Sequence, residues 1–187
     1  MRNPSLVTIL LFFGASLSAQ VQINPLPSRV FGNSSLRIPL VSSAPNLVEG
    51  RELNGPQTVA LDTSVTPPIL YEAETGNNRV LAFRNTGGLT RGDRADRVIG
   101  QRDFQSTLPQ GPASGTGGLQ SGLNLPVAVA VDRQGNLYVA DAGNNRIVRY
   151  PKPFEQPGAL QPVDLVIGQR NVSTGTAANQ GQTAPTE

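Results

Sequence analysis

The run "PVAVAVD", Pro126 to Asp132, places Val127, Val129 and Val131 on one side of an extended chain and Ala128 and Ala130 on the other. Successive side chains of a strand alternate between faces, and neither face here is polar, so the pattern predicts a strand covered on both sides. Two further strands follow in "LYVAD" and "NRIVRY", which are rich in β-branched and aromatic residues, and a fourth in "DLVIGQ". Past residue 19, no stretch of ten or more residues keeps helical spacing without a Pro or Gly breaking it. The pattern predicts an all-β fold.

The same four-strand pattern occurs twice. "PQTVALD" (Pro56 to Asp62) matches "PVAVAVD", "ILYEAETGNNRVLAF" (Ile69 to Phe83) matches "NLYVADAGNNRIVRY" (Asn136 to Tyr150), and "DRVIGQRD" (Asp96 to Asp103) matches "DLVIGQRN" (Asp164 to Asn171). The offsets of 70, 67 and 68 differ because loops change length, as a repeated fold tolerates. A third copy of the last element, "SRVFGNSS" (Ser28 to Ser35), lies upstream, with Val30, Val98 and Val166 each 68 apart. Four-stranded units stacked at a fixed period predict blades of a β-propeller; a β-helix would need shorter coils, and a sandwich has no reason to repeat its sequence. The period exceeds the roughly 40–45 residues of a common blade, and the excess lies in two loops, Asn85 to Ala95 and Gln105 to Asn124. The organisation expected is a leader at 1–19, an N-terminal segment with a partial repeat at 20–50, and repeats at 51–118 and 119–187.

"LPVAVAVDRQGNLYVADAGNNRIVRY", Leu125 to Tyr150, resembles the NHL-repeat signature throughout, and Gly55 to Phe83 resembles it less fully. Asn78 and Asn145 stand where the family's eponymous His usually is, and Glu72 and Glu74 replace the Val and Asp of "YVAD" in the first copy. The resemblance implies a propeller, commonly six-bladed and, in bacteria, exported. Two units and a partial one cannot close a ring of four or more blades. A truncated reading frame is therefore expected, with further blades from a longer chain or self-association completing the ring.

The first nineteen residues carry Arg2, an apolar run from Leu6 to Phe13 and small residues ending at Ala19, the pattern of a secretory signal peptide. The expected product is secreted or periplasmic and begins near Gln20, and no later stretch is long enough to span a bilayer. There is no cysteine to form a disulfide. Formal charge is +2, and +1 once the leader is removed. The most basic stretch, Arg91 to Asp103, has Asp93, Asp96 and Asp103 between its arginines, which argues against a nucleic-acid partner.

The whole chain also lacks histidine. That removes His-based general bases, Ser-His and Cys-His nucleophiles and, with no Cys either, the usual zinc ligand sets, leaving only carboxylate chemistry. Yet Asp62 and Asp132 repeat in phase, as do Glu74 with Asp141 and Asp96 with Asp164. An active site is used once and a turn in every unit, so these acids read as turn residues. No catalytic residue, cofactor or metal is assigned.

Attention falls instead on the dense stretch "DAGNNR" and its partner "ETGNNR". Glu74, Gly76, Asn77, Asn78 and Arg79, with Asp141, Gly143, Asn144, Asn145 and Arg146, are expected to form the repeat's hairpin turn. Gly and Asn there are expected to take positive φ, the acids to accept hydrogen bonds near the turn, and Arg79 and Arg146 to act as partners across units. The function expected is a binding or scaffold module for a protein, peptide or glycan, with recognition in the segments that do not repeat. The alternatives are a surface-displayed spacer and a piece of a metal-dependent propeller lyase or lactonase whose catalytic residues lie beyond Glu187.

Overall fold

A computed structural model describes residues 47–111, 118–158, 160–173 and 177. The leader, the Ser28 to Ser35 copy and the stretch beyond residue 177 lie outside the described residues. The fold is all-β, in two four-stranded antiparallel sheets. The first contains β1 (Pro56–Asp62), β2 (Ile69–Glu74), β3 (Arg79–Phe83) and β4 (Arg97–Ile99), and the second β5 (Pro126–Val131), β6 (Leu137–Asp141), β7 (Arg146–Tyr150) and β8 (Leu165–Ile167). Both sheets are simple meanders in chain order, consistent with two consecutive propeller blades. The only α-helix among the described residues is the single turn Gly118–Ser121, so none of their helices is long and apolar enough to cross a membrane.

Register fixes which residues share a face. In the second sheet Val129, Val139, Val148 and Val166 form one row across all four strands, beside the row Val131, Leu137 and Tyr150. In the first sheet Tyr71 lies opposite Ala82, and Ala73, Val80 and Ile99 form the neighbouring row. These two faces meet in one core in which Ile69, Tyr71, Val80 and Ile99 pack with Leu137, Val139, Val148 and Tyr150. The alanines among them let two sheets approach closely, and the burial of so many aliphatic side chains is the principal force holding the pair together. The opposite face of the first sheet holds a separate cluster of Leu81, Phe83, Leu89, Ala95 and Val98.

The expectation of strands covered on both sides is corrected at the first strand of each sheet. Val59 and Leu61 of β1 are 63 % and 53 % exposed, and Ala130 of β5 is exposed. These strands lie at the sheet edge with a hydrogen-bonded neighbour on one side only, and the edges of the two sheets meet where the Val129 amide donates to Thr58 Oγ1 at 3.0 Å. A register shift between Pro126 and Ala128 also removes Val127 from the alternation, as bulges do.

Truncating the seam core should be costly. Leu137→Ala is expected to lower stability to urea by about 2–5 kcal/mol, whereas Ile147→Ala, on the open face of the second sheet and 40 % exposed, should cost about 1 kcal/mol or less. Equal losses would contradict the assignment of the buried face.

Candidate functional site

The hairpin between β2 and β3 is a 3-10 turn, Thr75–Asn77, closed by Asn78 at φ 53° and ψ 43°. Its counterpart Ala142–Asn144 is closed by Asn145 at φ 52° and ψ 47°. The left-handed residue is thus the second asparagine, whose short amide tolerates this region. Glycine serves a different need than the expected one: a Cβ on Gly76 would lie 2.6 Å from Asn54 Cγ, and one on Gly143 2.5 Å from Asn124 Cγ. The preceding loop passes directly over the turn, and the Gly76 and Gly143 amides donate to the Asn54 and Asn124 carbonyls at 3.0 and 2.8 Å.

Beneath each turn lies a fully buried carboxylate. Glu74 Oε1 accepts from the Asn54 amide at 2.9 Å and from Asn77 Nδ2 at 2.6 Å, while Oε2 accepts from Arg79 Nε. Asp141 repeats this: Oδ1 accepts from the Asn124 amide at 2.6 Å, and Oδ2 from Asn144 Nδ2 and Arg146 Nε, each at 2.7 Å. Each arginine therefore pairs within its own unit, which corrects the expectation of partners across units. The reason is register: Glu74 lies directly opposite Arg79 and Asp141 opposite Arg146 on adjacent strands, where opposite charges are nearest neighbours. Asparagines of the turns do cross between units: Asn78 Oδ1 accepts from the Leu125 amide at 2.8 Å, and Asn144 Oδ1 accepts from Gln110 Nε2 at 3.0 Å. Burial raises the Asp141 pKa against the lowering effect of these donors.

Two pairs of residues in this arrangement escaped the sequence reading. Asn54 and Asn124 supply the backbone that receives the turn, and Gln101 and Gln169 pin it from below, their Nε2 atoms donating to the Asn78 carbonyl at 2.9 Å and the Asn145 carbonyl at 3.2 Å. The recurring "VIGQ" was the available signal for the glutamines. The in-phase Asp62 and Asp132 cap their own loops, accepting from the Ser64 amide at 2.9 Å and from the Gln134 and Asn136 amides, each at 2.9 Å. With their oxygens occupied and the side chains buried, Glu74 and Asp141 have no access to a substrate. Among the described residues, no group of three His, Cys, Asp or Glu is placed to hold a metal ion.

The first unit carries an imperfection that the second lacks. Glu72 stands where the second has Val139, and it is 3 % exposed with no hydrogen-bond partner for either carboxylate oxygen among the described residues. Arg79 Nη2 likewise has none, although Arg146 Nη2 donates to the Gly122 carbonyl at 3.0 Å. Burial, reinforced by the nearby Glu74 charge, pushes the Glu72 carboxyl up to about 8.

The open, chemically mixed surface lies elsewhere, at the seam between the sheets. A cleft of about 570 Å³ is lined by Arg84, Arg97, Arg102, Phe104 and Phe154, with Asp96 and Asp103 on its wall. Phe154 comes from the second unit and reaches Tyr71 of the first, ring centres 6.5 Å apart. The Arg84 guanidinium lies 4.4 Å above the Phe154 ring and that of Arg97 at 5.8 Å, a cation–π arrangement. Arg97 Nη2 also donates to the Gln156 and Gly158 carbonyls, each at 2.8 Å. In the other copy the positions of Arg84, Arg97 and Phe154 hold Pro151, Leu165 and Gly87. Residues 123–150 match the model of a family described as the NHL repeat. No curated protein matches the chain.

Three outcomes follow from this geometry. Arg146→Met should cost about 3–5 kcal/mol, because it strands a buried Asp141, and Gly143→Val about 1–3 kcal/mol through the clash with Asn124; thermal melts of both variants read this directly. For Glu72, the folded carboxyl holds its proton up to about pH 8, whereas the ordinary value is 4.5. Folding therefore binds a proton between those limits, so stability should fall as pH rises through that window and level off above it. Urea midpoints at about pH 5 and about pH 9 check the sign, and Glu72→Gln should abolish most of the difference.

Proposed function

Given that the chain carries an NHL repeat, we propose that it is an exported binding or scaffold module for a protein, peptide or glycan, built as part of a β-propeller. In this reading the two hairpins of Glu74 to Arg79 and Asp141 to Arg146 are structural, and recognition falls to the surface between units. The observation that carries it is the division of the polar residues. Every acid and arginine of the repeated turns is engaged inside its own sheet, while the unrepeated Arg84, Arg97 and Phe154 converge on an open cleft. Repeated residues maintain a scaffold, and residues used once are free to specify a ligand.

Export is proposed from the leader at 1–19. Expression of the full chain in a bacterium, followed by N-terminal sequencing of the product, should find Gln20 or a close neighbour at the start. To test binding, the folded chain is presented to a panel of defined peptides and oligosaccharides. Saturable binding that Phe154→Ala weakens is expected. Absence of binding by a chain with an intact melting transition would overturn the reading, as would steady turnover of a lactone or uronate substrate.

A further inference from the structure

A second hollow of about 470 Å³ adjoins the 570 Å³ cleft, with Arg84 and Phe154 lining both. Besides the shared pair, the second hollow is lined by Val65, Pro67 and Ile69 with Thr66, Asn85 and Glu155 at its margin; Val65 is 40 % exposed, and Glu155 is paired with Lys152 at 3.2 Å. One groove thus has a cationic half and an apolar half, divided by a guanidinium stacked on an aromatic ring.

The charge in the cationic half is unbalanced in a specific way. Among the described residues neither Arg84 nor Arg97 has a carboxylate within ion-pair distance, whereas Arg102 pairs with Asp103 at 3.1 Å. Both acids on the wall are already engaged. Asp96 Oδ2 accepts from the Arg84 amide at 2.7 Å, and Asp103 Oδ1 accepts from the Ser106 amide and hydroxyl at 2.8 and 2.6 Å. Burial, and then the neighbouring Arg84 charge, lower the Arg97 pKa. Two guanidinia held near each other without a counter-ion repel, and an anion placed between them relieves that repulsion. Stacking on Phe154 engages the Arg84 guanidinium face and leaves its edge donors for a fork-shaped acceptor.

In the cationic half three arginines against two aspartates leave one net positive charge, and Glu155 in the other half is balanced by Lys152, which matches a single carboxylate better than a doubly charged phosphate. The apolar half asks for an aliphatic or aromatic group, which peptide side chains offer and hydroxyl-covered sugars do not. Resting on the binding-module reading above, we propose that this seam groove binds a peptide segment in which a carboxylate adjoins a bulky apolar side chain. The carboxylate sits on Arg84 and Arg97, and the apolar group lies against Val65, Pro67 and Ile69. The site is used once, because the second unit has no equivalents of its arginines.

The full chain is titrated, by fluorescence anisotropy, with labelled hexapeptides in which Asp or Glu adjoins Leu or Phe. Companion peptides replace the acid by its amide, replace the apolar residue by Ser, or carry phosphoserine, and labelled trigalacturonate supplies an acidic sugar. The acid-plus-apolar peptides should bind at least about tenfold more tightly than each companion, the scale set by one charged hydrogen-bonded contact. R84Q should weaken them by a similar factor with little change in the melting curve, since among the described residues the Arg84 side chain stacks on Phe154 and braces no backbone; R97K, which keeps the charge but loses the fork and its bonds to the Gln156 and Gly158 carbonyls, should weaken them as well. Equal binding of the amide peptide, or an R84Q variant of undiminished affinity, would overturn the proposal. Preferential, Arg84-dependent binding of trigalacturonate or of the phosphopeptide would also overturn it while leaving the binding-module reading intact. No binding of any probe by a folded chain would sink both.

Discussion

At the foot of each central hairpin a carboxylate and a guanidinium sit with almost no exposure to water, side chains at 0 % for Glu74 and Arg79 and at 0 % and 1 % for Asp141 and Arg146. Taking two charges out of water is tolerated only if each is paired and its remaining donors and acceptors are filled. That demand organises the surrounding chain. In the second unit Arg146 must reach the carbonyls of Leu119, Gly122 and Val172, and Asp141 must receive the Asn124 amide. Segments before, within and after the sheet are thereby tied to one point, and loops that lack regular structure acquire fixed positions.

The two copies satisfy this demand unequally. Sheet two meets it fully and uses Val139 where sheet one places Glu72. In sheet one an arginine nitrogen and a carboxyl lie buried without partners among the described residues. An unmatched buried polar group costs about 1–3 kcal/mol, so the first unit is the weaker copy and the one whose stability responds to pH. The shared core at the seam compensates, since Tyr71 and Ile99 of the first sheet are buried by Leu137, Val148 and Tyr150 of the second. The same packing draws Phe154 across the seam and so shapes the groove there.

Much of the candidate site was legible one residue type at a time. The recurrence of "GNN" between strand patterns located both hairpins, and the absence of His removed the usual general bases. Three local expectations needed correction, each for a reason outside the local sequence. Gly76 and Gly143 are required by a loop passing over them, not by their own dihedrals. Arg79 and Arg146 pair within a sheet because strand register sets the nearest charge. The valines and alanines of the first strands look apolar on both faces, yet edge position leaves several exposed.

Alternation, turn residues and an internal repeat determined by themselves that the chain forms four-stranded antiparallel units with a Gly-Asn-Asn hairpin, because these features depend on neighbours a few residues apart. Only the tertiary structure decided where Arg84, Arg97, Val65 and Phe154 meet. Those residues come from one strand and three loop positions of two different units with no pattern linking them, and their proximity is set by how one sheet packs against the next.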